Sequence, residues 1–463
     1  MKEVMILERR GLTVIAFQNK GVSRLETTTE QREISGIASL REKLGQKAKR
    51  EPKFRFYTLY GHLSKDDLLQ EAWKIVKRNG GSAGIDNVSI MDIERSSAGI
   101  AGFLKGIQEE VRDKTYHPKP VKRVYIPKSD GKLRPLGIPT VKDRVVQAAL
   151  LYIMEPIFEQ DFLDCSFGFR PERSAHQAID AIKGAICEGK TQVYDADLKG
   201  YFDSIPHDKL MKAVERRIAD QHVLKLIRKW LTAPIWEEGK PMSPNDRGTP
   251  QGGVISPLLA NIYLHWFDKI FHGTQGPGTT AKAVLVRYAD DFVIMARYLT
   301  KRIVAWVEEE IEGRFGLTIN REKTKIKDLA GPKECLDFLG FTMRKESVKS
   351  APWRQYCKEQ PSKKSLNRAR EEVRGITSPK NGYKPIEDVV KTLNQYLRGW
   401  GQYFHKGYPS KTFSAMNAYV DERVYRFLQR RSQRGCKKSP DSNTWYREIR
   451  RLGVIQLTKR MFT

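Results

Sequence analysis

Apolar positions recur along this chain at two spacings, and the contrast between them predicts its architecture. Over residues 283–295 two β-branched runs flank Asp290 and Asp291, which predicts a strand, a tight turn and a returning strand. Shorter β-branched runs at residues 121–126 and 192–194 predict further strands, with helical spacing between them. Residues 53 to about 345 therefore read as an α+β body around an antiparallel sheet. Residues 37–50 predict a basic helix that Pro52 ends. A looser Lys/Ser/Pro-containing stretch, residues 345–364, reads as a linker. Helical patterns at residues 365–374, 386–404 and 413–430 then predict a basic bundle. Before residue 36 there is little order: a short apolar run at residues 12–17, then a polar tract. Residues 431–463 predict a basic, turn-rich piece and one more short helix.

Charge names the kind of partner. Lys and Arg number 83 against 55 Asp and Glu, a net +28 over 463 residues. That excess is spread along the chain and goes beyond what solubility requires, so a polyanion explains it better than an ordinary solvated surface. Aromatics are interleaved with the basic residues, as in Lys53-Phe54-Arg55-Phe56-Tyr57 and Trp445-Tyr446-Arg447. The mixture suits phosphate neutralisation combined with stacking on bases. Five cysteines, an odd number with no metal-site or disulfide-framework spacing, argue for a reducing cytosol and against a zinc module. No stretch is apolar enough for a signal peptide or a bilayer span, so a cytoplasmic protein without a membrane partner is expected.

Neighbouring carboxylates repel and are costly to bury unpaired, so Asp290 and Asp291 at the tip of a core-bound hairpin call for a cation. Mg²⁺ fits, because it takes one or two protein carboxylates plus the phosphates of its substrate. The plainer alternative is a polar turn with Asp supplying turn chemistry. Two metal ions would need a further carboxylate. Residues 192–203 offer Asp195, Asp197 and Asp203; Asp195 and Asp197 share a strand face, while Asp195 and Asp203 read as solvated or capping residues. Tyr201 and Phe202 follow, and an aromatic under a nucleotide sugar would exclude a 2′-hydroxyl by size. The run Arg247-Gly248-Thr249-Pro250-Gln251-Gly252-Gly253 lets backbone approach a ligand closely, with Ser256 as cap and Pro257 at the first position of a following helix. Upstream, residues 125–139 predict a hairpin whose Lys128 and Arg134 flank a Ser-Asp-Gly turn, where both could grip a triphosphate, although taken alone such a segment is more often a surface hairpin.

These segments together resemble the reverse transcriptases encoded by bacterial group II introns, in the order that family has them. The hairpin at residues 126–139, Ser166-Phe167-Gly168-Phe169-Arg170-Pro171, the first acidic strand, the glycine loop and Tyr288-Ala289-Asp290-Asp291 carry the likeness. So do Gly316-Leu317-Thr318-Ile319-Asn320 with Lys323-Thr324-Lys325, and Phe338-Leu339-Gly340-Phe341. The resemblance implies a right-hand polymerase, with fingers and palm over residues 37–345 after an extension at 1–36. A helical thumb or maturase region (346–413) and a basic DNA-binding-like segment (414–463) would follow. It implies Asp197, Asp290 and Asp291 as ligands of two Mg²⁺ ions, Phe202 as sugar gate with Tyr201 competing, and Lys128, Arg134 and Gln251 as dNTP contacts. Lys323 would lie near the leaving pyrophosphate, as proton donor or as plain phosphate contact. In the region around Leu393-Asn394-Gln395-Tyr396-Leu397-Arg398-Gly399-Trp400, the apolar face reads as core. Arg398, Lys406, Lys363 and Lys364 read as RNA contacts, the two lysines behind a helix-capping Ser362.

After His405 there is no further histidine, and Cys436 is the one cysteine, so the resemblance implies a member without an HNH nuclease. Expected partners are group II intron RNA, a DNA target or primer and dNTPs, with cDNA synthesis for retrohoming and assistance to splicing. Insertion at already exposed primers, for example at replication forks, would follow. An RNA-binding splicing factor with an idle polymerase, or a reverse transcriptase serving host defence or repair, are the alternatives.

Overall fold

The computed structural model describes residues 6–9, 12–15, 30–127, 133–242, 245–331, 334–348, 350–431, 438–439 and 442–462. Contacts divide the chain into two units: residues 19–178 with 193–326, and residues 1–18 and 179–192 with 327–463.

In the first unit, β1 (Val121–Pro127) and β2 (Leu133–Ile138) form the expected hairpin, with Ile126 opposite Arg134. Its turn, including Lys128, lies outside the described residues. β3 (Gln192–Ala196), β4 (Val284–Tyr288), β5 (Asp291–Ala296) and β6 (Lys325–Asp328) make a second sheet in the order β4-β5-β3-β6. β5 is interior to that sheet and buried at all its positions, which is why Phe-Val-Ile-Met-Ala runs there without polar alternation. α1 (Glu30–Arg50) ends two residues before Pro52, as predicted, and packs with α2 (Asp66–Asn79) against α3 (Val141–Glu159).

α4 (Ser256–Phe271) is buried over most of its circumference. Ser256 does not cap it. Ile255 holds the N-cap position, and Ser256, already helical, donates from Oγ to the Pro250 carbonyl at 2.9 Å. The hydroxyl clamps the glycine loop instead of the helix end. Pro257 therefore takes the second helical position, one later than expected, still within the opening turn that tolerates proline.

Burial of His265 on α4 pushes its pKa down to about 4, and Nδ1 has no hydrogen-bond partner among the described residues. The ring therefore stays neutral while folded, and unfolding restores an ordinary value near 6.5. Stability is whole above pH 6.5 and declines as pH falls from there to 4, because the unfolded chain takes up the proton. The loss amounts to about 3 kcal/mol at most. Urea midpoints at pH 7 and pH 4.5 should show this slope, and His265→Gln should flatten it; an equal slope in the variant would exclude His265 as its source.

In the second unit, the stretch expected to be a linker is a hairpin. β7 (Leu336–Phe338), β8 (Phe341–Val348) and β9 (Ala351–Pro361) form one antiparallel sheet in chain order, with Met343 opposite Glu359 and Lys345 opposite Cys357. Met343, Cys357 and Glu359 are buried, whereas most of their strand neighbours are polar, so the alternation was too thin to read as a strand. The helical bundle matches its prediction closely. α5 (Lys363–Ile376), α6 (Ile386–Phe404) and α7 (Ser410–Arg430) carry it, and α8 (Trp445–Arg451) packs on α7. Leu393, Leu397 and Trp400 are core, as expected, and Tyr396 is half-buried. Ser362 caps α5, accepting from the Ser365 amide at 3.2 Å. The sequence boundary drawn between residues 413 and 414 falls inside α7. Near the N-terminus, Ile6–Arg9 pairs antiparallel with Leu12–Ile15, more order than the sequence suggested. Among the described residues no helix is long and apolar enough to cross a membrane.

Candidate active site

β4 and β5 are joined by the two-residue loop Ala289–Asp290, closed by Tyr288 opposite Asp291. Loops this short need a left-handed residue, and Ala289 supplies it at φ 58°. A side chain in that conformation is strained, so the surroundings must hold it. Arg287, fully buried, donates from Nη1 to the Ala289 carbonyl at 3.0 Å and to Asn261 Oδ1 at 2.9 Å. Its other edge pairs with Asp268, Nη2 to Oδ2 at 2.5 Å. Burial alone would lower the Arg287 pKa, but the Asp268 carboxylate outweighs it and raises it. On the other side of the turn, a Cβ at Gly168 would lie 2.4 Å from the Ala289 nitrogen, so glycine is required there. The same segment docks along β4, with the Phe167 amide on the Arg287 carbonyl at 2.9 Å.

Asp290 Oδ1 is sealed from solvent and has no hydrogen-bond partner among the described residues. Its pKa is raised well above the usual carboxylate range, first by burial and then by the Asp291 and Asp197 carboxylates, while Arg134 opposes the rise. Asp197, distant in sequence, is thus brought within electrostatic reach of Asp290 beside Asp291, and Arg134 of the hairpin joins them. Asp197 and Asp291 are themselves buried, at 6% and 5% exposure. An orphaned carboxylate oxygen beside two further carboxylates is a hard-oxygen donor set, and it fits a divalent cation. Among the described residues no group of three or more His, Cys, Asp or Glu stands close enough to hold a metal ion by itself. An ion here would complete its shell with substrate oxygens.

Asp197 follows β3 and is oriented by the segment that precedes β6. Asn320 donates from Nδ2 to Asp197 Oδ2 at 2.9 Å and from its amide to the Asp197 carbonyl at 2.8 Å. Thr324 Oγ1 accepts from the Asp197 amide at 3.2 Å, and Lys323 Nζ lies 3.8 Å from Asp197 Oδ2. Lys323 therefore sits at the carboxylate itself. Asp195, read as solvated or capping, is instead buried at 4% exposure, because β3 is an interior strand. Asp203 is exposed and accepts from Gln251 Nε2 at 2.6 Å.

The glycine loop touches both neighbours of the site. The Thr249 amide donates to the Phe202 carbonyl at 2.6 Å, and the Gly137 amide to the Gln251 carbonyl at 2.6 Å. Gly252, at φ 116°, leaves no room for a Cβ, which would meet the Gly137 oxygen at 2.3 Å. Tyr201 is bound into the core through its hydroxyl, which donates to the Ala260 carbonyl at 2.6 Å. Phe202 packs edge-on against Phe169 at 6.3 Å.

The second unit holds the remaining candidates. Lys363 and Lys364 are exposed in the first turn of α5, and Arg398 is exposed on α6. Lys406 is half-buried and paired with Asp180, so part of its charge is already met. Sequence reasoning passed over Arg287, Asp268, Asn261 and Asn320. A charged residue inside an apolar strand was the available signal for Arg287.

A hairpin tip of clustered aspartates on an antiparallel sheet, beside a glycine loop that feeds a buried helix, is the palm of a nucleotide polymerase. Residues 126–343 match the family model described as reverse transcriptase (RNA-dependent DNA polymerase), and residues 366–445 match the group II intron maturase-specific domain. Protein YkfC of Escherichia coli (strain K12) is 38% identical over 326 residues, covering 63% of this chain and 84% of that protein. The group II intron-encoded protein LtrA of Lactococcus lactis subsp. cremoris is 32% identical over 353 residues, 62% of this chain and 57% of LtrA. An uncharacterized 91 kDa protein in the cob intron of Schizosaccharomyces pombe is 35% identical over 242 residues, 50% of this chain and 29% of its own length. The chain belongs to the group II intron-encoded reverse transcriptases with a maturase domain. It spans a little over half the length of LtrA.

Proposed function

We propose that this chain copies group II intron RNA into DNA for retrohoming and binds the same RNA to assist its splicing. The buried, unpartnered Asp290 Oδ1 among the Asp291 and Asp197 carboxylates carries the catalytic half of this reading. Asp197, Asp290 and Asp291 would hold two Mg²⁺ ions, whose chemistry is to lower the pKa of a primer 3′-hydroxyl and to neutralise charge on the attacked phosphate. The chain's own residues do the rest. Arg134 and Lys128 would grip the triphosphate, and Gln251 would line the nucleotide pocket from its anchor on Asp203. Phe202 rather than Tyr201 would gate the sugar, since the Tyr201 hydroxyl is already engaged by Ala260. Lys323, beside Asp197, would meet the leaving pyrophosphate, as phosphate contact or as proton donor. In the maturase region Lys363, Lys364, Arg398 and, more weakly, Lys406 would contact RNA phosphates.

Purified protein given an RNA template, an annealed DNA primer, dNTPs and Mg²⁺ should extend the primer, with extension lost on chelation. Affinity for structured RNA should fall steeply with salt, because each neutralised phosphate releases counterions. Absence of extension would sink the polymerase half, and a salt-independent affinity would sink the RNA half.

A further inference from the structure

The last turns of α7 carry an arginine cluster inside the segment that the sequence marks only in general terms as basic and DNA-binding-like. Arg423, Arg426, Phe427 and Arg430 recur at the spacing that puts them on one helical face. With Arg431, Thr377 and Pro379 they line a shallow hollow open to solvent. Two of the guanidinium groups are fixed by neutral oxygens. Arg423 donates from Nε to Thr377 Oγ1 at 3.2 Å and from Nη2 to the Thr377 carbonyl at 3.3 Å. Arg431 donates from Nε to the Gly382 carbonyl at 3.0 Å and from Nη2 to the Lys384 carbonyl at 2.6 Å. Thr377 Oγ1 is itself held, donating to the Val373 carbonyl at 2.7 Å.

Arg426 pairs with Glu422 on the solvent side. Among the described residues no carboxylate pairs with Arg423, Arg430 or Arg431, and Arg430 is exposed. Like charges at helical spacing repel, so this face is a standing cost to α7 unless something offsets it. The negative end of the helix accounts for arginine at positions 430 and 431. It does not account for Arg423, two turns earlier, nor for a hollow walled by guanidinium groups. Positive charges oriented by neutral oxygens and left without a counter-ion make a receptor for an external anion. Guanidinium forks match phosphate two oxygens at a time.

We propose that this hollow binds a backbone phosphate of a structured nucleic acid, with Arg423 and Arg431 as fixed forks and Arg426 and Arg430 closing from the solvent side. The assignment rests on the nucleic-acid-binding part of the reading above and adds a particular site to it. The test titrates the full chain with a structured RNA and with a DNA duplex of equal length across a salt series. Arg426→Gln combined with Arg430→Gln should weaken binding roughly tenfold and lower the slope of log affinity against log salt by about one. Arg430→Glu should deepen the loss. Both positions are exposed, so melting temperature should not move. A control with the same charge change, Lys301→Gln with Arg302→Gln on the exposed start of the helix Lys301–Glu309, should lose less and keep its slope. A loss in the RNA arm assigns the site to RNA, and a loss in the duplex arm assigns it to DNA. If the arginine pair and the control pair lose affinity equally in both arms, the site is overturned. Wild-type protein that binds neither probe would overturn the underlying reading, and the site with it.

Discussion

Asp290→Asn is expected to abolish RNA-templated DNA synthesis while the protein stays folded and bound to RNA. The substitution keeps the shape of the side chain and removes its charge, so the oxygen without a partner among the described residues would no longer attract a divalent cation. A catalytic metal supplies several kcal/mol of transition-state stabilisation, and each 1.4 kcal/mol is tenfold in rate. A fall of about a thousandfold or more in primer extension follows. The effect on stability has the opposite sign to that of most buried substitutions. Asp290 is raised in pKa by burial and by two neighbouring carboxylates, which means its charge is unfavourable in the metal-free fold. Removing that charge should leave the melting temperature in chelator unchanged or higher. Added Mg²⁺ should stabilise the parent protein more than the variant. RNA affinity, measured by titration, should be nearly that of the parent. Retained extension in Asp290→Asn would falsify the assignment of the aspartates.

Much of this was legible in the sequence because the relevant signals are local. Two β-branched runs around an Asp-Asp pair specify a hairpin whatever lies around it, and the three helices of the bundle announce themselves by apolar spacing. What escaped is what depends on partners far away in the chain. Asp195 looked like a solvated residue because nothing near it in sequence reveals that β3 will lie between two other strands. Ser256 has the residue type of a cap, yet a carbonyl six residues earlier captures its hydroxyl. The β8–β9 hairpin was hidden because its buried positions are few among many polar residues, and one of them is Glu359. Asn320 shows the same limit from the functional side. Its amide tail orients Asp197 from 123 positions away, and no periodicity marks it.

Arg287→Met should cost about 3–5 kcal/mol of folding stability, because it leaves Asp268 charged, fully buried and unpaired. The double variant Arg287→Met with Asp268→Leu removes both charges and fills the space with apolar groups, so it should recover most of that loss, as replaced buried ion pairs commonly do. Polymerase activity should not recover with it. Arg287 has a second task that methionine cannot perform: its Nη1 holds the carbonyl of Ala289 in the left-handed conformation from which Asp290 departs. Without that donor the turn can relax toward a less strained backbone, which displaces the aspartates from the geometry that binding a divalent cation would require. The double variant should therefore melt near the parent protein while extending primers at least about tenfold more slowly and requiring more Mg²⁺ for half-maximal rate. Arg287→Lys keeps the charge but not the fork, so it should hold Asp268 or Ala289 but not both, and fall between the two in each measurement. Chemical-denaturation midpoints and Mg²⁺ titrations of primer extension on the same preparations separate the two tasks. If activity returned together with stability in the double variant, Arg287 would be a purely structural strut, and the strained turn would be held by Gly168 and its neighbours alone.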